Sequence, residues 1–209
     1  MKLKVPFVRN LKKWKGNGWC GPLALASILR FYKIQDKVED IVNLSSISKN
    51  KTGSSPNGLI NFSLNKGLKV DYYSEVEFEK ENNPKYSKGL RTFLKKIKAE
   101  KNDLYFFNKN KRNPNFKLIK RKATLKDIKN NLNNGKPVLI LHNVAVIFNR
   151  EDKLWPHYIA IVGYDKENFY IHNVAIKNQA FQKVNQKIIN KSWNCGGLKN
   201  TLIVPYLEK

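Results

Sequence analysis

The stretch that begins at Cys20 and runs to Tyr32 most constrains what this chain can fold into. Leu23, Leu25, Ala26, Ile28, Leu29 and Tyr32 leave it apolar with little break. Its spacing reads as helix, and a helix apolar on nearly all sides has to be wrapped by the rest of the chain. Pro22 falls in the first turn, where its missing N–H does no harm. The helix is expected to end near Lys33. Cys20 stands at its N-terminus, inside Asn17-Gly18-Trp19-Cys20-Gly21-Pro22.

The remaining segments must supply that wrapping. Val5 to Val8 reads as a short entry strand. Residues 37–44 read as a short helix and 48–57 as a polar loop. Gly58 to Asn65 reads as a helix that Lys66-Gly67 closes. Leu68 to Tyr73 alternates like a strand. Lys88 to Glu100 carries Leu90, Phe93, Leu94 and Ile97 at helical spacing. Asp103 to Phe107 is expected as a strand, with a polar turn over 108–115. Leu125 to Asn133 is a helix closed by Asn134-Gly135. Val138 to Leu141 is a buried strand that Val144 to Phe148 is expected to extend. His157 to Gly163 is a second buried strand. Phe169 to Asn173 pairs with it as a hairpin around Lys166-Glu167-Asn168, and Leu202 to Pro205 closes the chain. Helices come first and strands last, an α+β pattern rather than a βαβ alternation. We expect one domain over 1–209, with a helical part at about 18–135 and a sheet part at about 136–207.

The 41% hydrophobic content argues against disorder. No stretch approaches the ~20 apolar residues of a membrane helix, so no membrane span is expected. The N-terminus, Met1-Lys2-Leu3-Lys4-Val5-Pro6, is basic and has no apolar signal core, so a cytoplasmic location is expected. The net charge of +24 fits a polyanion partner. It also fits compositional drift, because Lys and Asn share AT-rich codons and the lysines are spread along the whole chain. Nucleic acid is the less favoured partner; Lys12-Lys13-Trp14-Lys15 is its best support.

Two cysteines are too few for a disulfide scaffold. Cys195 lies in the turn-like Trp193-Asn194-Cys195-Gly196-Gly197. Cys20 can be read as a buried structural cysteine or as a nucleophile. Trp19-Cys20-Gly21-Pro22 is a poor place for core filling. First-turn N–H groups there can lower a thiol pKa from ~8.5 and hold an oxyanion beside the sulfur. Of His142, His157 and His172, His157 has the strongest case as partner, since it opens an apolar strand where its ring can emerge at the edge. Asn173 sits at the hairpin position of an orienting group. His172 and Asn173 point to opposite faces, so only one of them can face His157. No ligand-pair spacing suggests a metal site, and no cofactor is expected.

At these residues the chain resembles a known family. Trp19 to Tyr32 resembles the "CGP" helix of the C39-like cysteine peptidases, in the papain-like superfamily. His157 to Asp165 is similar to their histidine strand. Phe169 to Asn173 is similar to the strand ending in their catalytic Asp or Asn. Thr52-Gly53 through Gly67-Leu68, Leu132 to Val138, and Phe181 to Trp193 are similar in the same order.

The resemblance implies a papain-like fold of C39 type, with N-terminal helices packed on a C-terminal antiparallel sheet. It implies Cys20 as nucleophile, His157 as general base and then acid, and Asn173 as orienter. The family places a Gln upstream as oxyanion donor; here Asn10 stands at that place, and Asn17 is the other candidate amide. An Asn donor sits about 1.5 Å further back, which weakens such a hole. The implied partner is a peptide or protein substrate, and the charge favours an acidic one. C39 members often cleave leader peptides while joined to an ABC transporter. With neither a membrane segment nor an ATP-binding motif, this chain resembles the free-standing branch. The implied function is a thiol hydrolase acting on peptide or amide bonds, or an acyltransferase of the same chemistry. The competing readings are a weakened papain-like fold that binds a peptide or protein, and a basic nucleic-acid-binding protein.

Overall fold

A computed structural model of the 209-residue chain describes residues 1–9, 19–45, 53–75, 100–150, 153–174, 178–194 and 200–208. The expected helix from Lys88 to Glu100, except Glu100 itself, together with the Lys12–Lys15 cluster, Asn10, Asn17 and Cys195, lies outside the described residues.

The apolar helix forms as α1, Cys20–Phe31. Leu23, Leu25, Ile28 and Leu29 are all 0–1% exposed, which the unbroken pattern required. It is followed by α2 (Val38–Ser45) and α3 (Pro56–Asn65). Helix α3 starts earlier than expected because Ser55 caps it, its hydroxyl accepting from the Gly58 N–H at 2.9 Å, with Pro56 just inside. Gly67 follows with φ +78°, the left-handed turn its sequence predicted.

Strand β1 (Lys69–Tyr73) leads to α4 (Glu100–Asn110), β2 (Phe116–Ile119), α5 (Leu125–Asn133) and β3 (Val138–Asn143). A 3-10 helix over Val144–Phe148 precedes β4 (Pro156–Tyr164). Then come β5 (Asn168–Asn173), β6 (Gln179–Asn185), α6 (Gln186–Asn194) and β7 (Leu202–Tyr206).

Three expectations fail locally. Asp103–Phe107 is helical, not extended; Asp103 and Phe107, four apart, are both buried on one helix face. Val144–Phe148 turns away instead of extending β3, because the Asn143 side chain caps it by accepting from the Ala145 N–H. Val5–Val8 forms no strand. Val5 and Val8 are buried and Pro6 is exposed; the Val8 N–H donates to Ser27 Oγ (3.2 Å), and an isolated bridge joins Lys2 to Gly163.

The sheet runs β2-β1-β7-β3-β4-β5-β6. Its β1–β2 pair is parallel and its other pairs are antiparallel. The α+β class stands, with two strands coming from within the part expected to be helical. Both faces of the sheet are covered. Tyr158, Ala160 and Val162 of β4 join the core built on α1, α2 and α3. Ile159 and Ile161 join the core that contains Ile128 and Leu132 of α5 and Ile189 and Trp193 of α6. A strand buried on both sides shows no polar alternation, which is why β4 reads as a continuous apolar run. No helix among the described residues is long and apolar enough to cross a membrane.

Helices α2 and α3 approach closely at Gly58. A Cβ there would lie 2.4 Å from the Ser45 carbonyl oxygen, and backbone cannot swing aside as a side chain can. Gly58→Ala is expected to cost about 1–3 kcal/mol. A urea titration should show a lowered midpoint with an unchanged slope.

Candidate active site

Cys20 is the first residue of α1, and the Leu23 N–H closes the first turn on the Trp19 carbonyl at 3.0 Å. Gly21 lets this end of the helix press into the fold. A Cβ at Gly21 would lie 3.1 Å from both Leu59 Cδ1 and Tyr158 Cδ2. The half-buried Cys20 packs against the core on the α1 side of the sheet. Its Sγ accepts from the Tyr158 N–H at 3.5 Å. Burial pushes the thiol pKa up, and the N–H groups of Tyr158, Gly21 and Cys20 partly oppose this. Cys20 is a free thiol.

His157 is the residue before Tyr158, 4% exposed, near the start of β4. The loop into β4 is pinned by Asn143. Its Oδ1 accepts from the Trp155 N–H at 2.8 Å and its Nδ2 donates to the Lys153 carbonyl at 2.8 Å. The β4–β5 register pairs Ala160 with His172. Asn173 therefore falls on the face of His157 and Ile159, and His172 on the face of Tyr158. Asn173 Nδ2 donates to Gln182 Oε1 on β6 at 3.0 Å, which leaves Oδ1 as the free end of that amide. Asn173 Oδ1 and His157 Nε2 are both buried without a hydrogen-bond partner. Burial pushes His157 down to about 4, with the Asn173 side chain opposing it.

The structure thus brings Cys20, His157 and Asn173 to one end of β4. Among their described contacts, the sulfur is bonded to the peptide after His157 and not to its ring. Cys20 lies on the α1 side of the sheet, and the His157 side chain starts from the other side. The two can meet only around the start of β4, where Pro156 alone precedes His157 in the strand.

The third histidine is spent elsewhere. His172 Nδ1 accepts from the Phe181 N–H at 3.3 Å, so Nε2 carries the proton and donates to the Val5 carbonyl at 3.0 Å. The rings of Phe7 and Phe181 stand edge-on to it. It holds the N-terminal segment against β5 and β6. Among the described residues, no group of three His, Cys, Asp or Glu side chains could hold a metal.

The model of the Peptidase_C39 like family matches residues 2–197. The chain belongs to that family. No curated protein sequence matches it. Among solved structures it is similar to a protein from Bacillus anthracis described as a C39-like peptidase, with TM-score 0.61 and 15% identity over 100% of this chain and 98% of that one. It is also similar to a double glycine motif protease from an AMS/PCAT transporter, solved with a leader peptide (TM-score 0.51, 17% identity, 98% and 92% covered). The peptidase domain of Streptococcus ComA, a bi-functional ABC transporter, gives TM-score 0.52 at 13% identity over 99% and 98%. These likenesses carry the fold of the C39-like peptidases.

Within that fold, sequence reasoning missed Gln182, which orients the Asn173 amide. It gave His142 no role. His142 is 0% exposed and its ring centroid lies 5.8 Å from that of His157. The β3–β4 register, which pairs His142 with His157, is the signal that places it there.

The buried histidines make stability depend on pH. His157 titrates at about 4 in the fold, and burial lowers His142 and His172 as well. An unfolded imidazole titrates near ~6.5. Between those values the unfolded chain binds protons that the fold does not, so stability falls as pH falls through the window. Asp127, held at about 2 first by Arg121, loses its contribution only below that window. Asp103, raised by burial, acts in the opposite direction. The urea midpoint should therefore be lower at pH 5 than at pH 7, and His157→Gln should shrink the difference.

Proposed function

We propose that this chain is a thiol-dependent hydrolase that cleaves a peptide or amide bond through an acyl-enzyme on Cys20. His157 takes the thiol proton as the sulfur attacks the carbonyl carbon. A C–S bond forms, the oxygen becomes an oxyanion, and the C–N bond then breaks as His157 gives the proton to the leaving amine. Water, activated by the same ring, hydrolyses the thioester. An amine in place of water would make the chain an acyltransferase. The Cys20 backbone N–H, with an amide from Asn10 or Asn17, would hold the oxyanion. Asn173 would orient the His157 ring and support the imidazolium.

One observation carries this reading. A free thiol at the N-terminus of α1 is bonded to the first peptide beyond His157, and Asn173 shares the face of that histidine. Family membership supports the same chemistry. A peptide substrate is supported by the leader peptide bound to the transporter protease of the same fold. The charge of +24 favours an acidic one.

A second reading is a papain-like fold that binds a peptide without cutting it. The raised thiol and lowered imidazole favour it, because they describe a neutral pair rather than a thiolate–imidazolium pair.

Alkylation by iodoacetamide separates the two. For a hydrolase, one thiol is labelled at pH 7, Cys20→Ser removes that labelling, and His157→Ala slows it by about 100-fold. For a binding module, Cys20 is labelled only above the pH of an ordinary thiol, ~8.5, and His157→Ala changes nothing.

A further inference from the structure

His142 is buried beside the proposed base, yet the proposed chemistry gives it no part. Register places it directly across from His157, and the two rings lie 5.8 Å apart at 58°. Its proton can be located. Ser192 Oγ donates to the Ile189 carbonyl at 2.9 Å and lies 3.1 Å from His142 Nδ1. A serine hydroxyl has one proton, and Ile189 receives it. His142 Nδ1 must therefore carry the proton of the His142–Ser192 bond. Burial and the neighbouring His157 keep the ring neutral, so its Nε2 is a bare acceptor.

That Nε2 is buried without a partner, as are His157 Nε2 and Asn173 Oδ1. Asn173 Oδ1 is an acceptor too, because it is the amide oxygen, the Asn173 nitrogen being the end that donates to Gln182. Two acceptors and one ring nitrogen of undecided protonation are therefore each buried without a partner, the two rings 5.8 Å apart. A third acceptor would leave all three unsatisfied, which is costly for buried polar groups. A proton on His157 Nε2 supplies a donor among them, where a bare Nε2 would supply none.

We infer that His142 is a second positioning residue for His157: its bare Nε2, together with Asn173 Oδ1, keeps the His157 proton on Nε2 and so leaves Nδ1 free for the Cys20 proton. The inference rests on the reading of His157 as the base. Ser192 takes part at one remove, by holding the His142 proton on the far nitrogen. With two acceptors around it, the base keeps its tautomer when either one is lost.

The test is a long-range proton–nitrogen correlation spectrum of the full chain, labelled with 15N-histidine, at pH 7. The chain has three histidines, each assigned by substitution. In the wild type, His157 should be protonated on Nε2 and His142 on Nδ1. Asn173→Ala should leave the His157 tautomer in place. Adding His142→Phe should drop it to the mixture seen in the urea-unfolded chain, while His142→Gln, which keeps an acceptor, should restore it. If His142→Phe disturbs the fold, Ser192→Ala in the Asn173→Ala background carries the same test, since it frees His142 to move its proton to Nε2. An unchanged His157 tautomer in these backgrounds, or a wild-type His142 protonated on Nε2, overturns the inference. Tautomers are read without turnover, so failure of the hydrolase reading leaves this result intact. Conversely, Cys20 labelling that depends on His157 while the tautomer ignores His142 removes only the role of His142.

Discussion

The seating of the α1 N-terminus on the first peptides of β4 organises the rest of the site. It depends on Gly21, where a methyl group would already press on Leu59 and Tyr158 at 3.1 Å. With that contact made, the sulfur of Cys20 reaches the Tyr158 N–H, and the apolar sides of α1 lie against Tyr158, Ala160 and Val162. The force is burial, but the position is set by how closely two backbones approach. A larger residue at Gly21 would move the thiol relative to the strand end without touching either of the groups proposed to react.

The electrostatic character of the site comes from the same burial. Strand β4 is covered on both faces, so the groups at its start sit in a poorly solvated space. Desolvation disfavours whichever form is charged. It raises the thiol and lowers the imidazole, and the first-turn N–H groups of α1 only partly offset the effect on sulfur. A thiolate–imidazolium pair in such a place has to be stabilised by direct contact between its members. The hydrogen bond on sulfur goes instead to a backbone N–H, and the ring faces Asn173. Closing the ring on the sulfur is the step that would turn a neutral pair into a reactive one.

Much of this was legible in the chain. Helix α1 announced itself by its unbroken apolar pattern, α5 by Leu125, Ile128 and Leu132, and the β4–β5 hairpin by two apolar runs around Asp165. That aspartate holds the turn as expected of its type, its Oδ1 accepting from the N–H groups of Glu167 and Asn168. The failures share a cause. Asp103–Phe107 is a short mixed segment whose burial depends on α3, where the Asn110 amide bonds to the Asn57 carbonyl at 3.0 Å. Val144–Phe148 is apolar enough for a strand, but a single side chain, Asn143, turns it aside. Neither fact has a local periodicity to announce it.

By itself the sequence determined which residues can do chemistry and which segments must be buried. Both are local: a thiol before Gly-Pro at a helix start, a histidine opening an apolar run, and an amide at the end of the next run. Only the tertiary structure decided how those residues face one another. The register of β4 on β5 put Asn173 on the face of His157 and sent His172 to the opposite face, to hold the N-terminal segment. The register of β3 on β4, with α6 lying over it, placed His142 beside His157 and Ser192 beside His142. A one-residue slip in either pairing would exchange these roles, because successive side chains on a strand point to opposite faces. That parity is a property of the pairing and is written in neither strand alone.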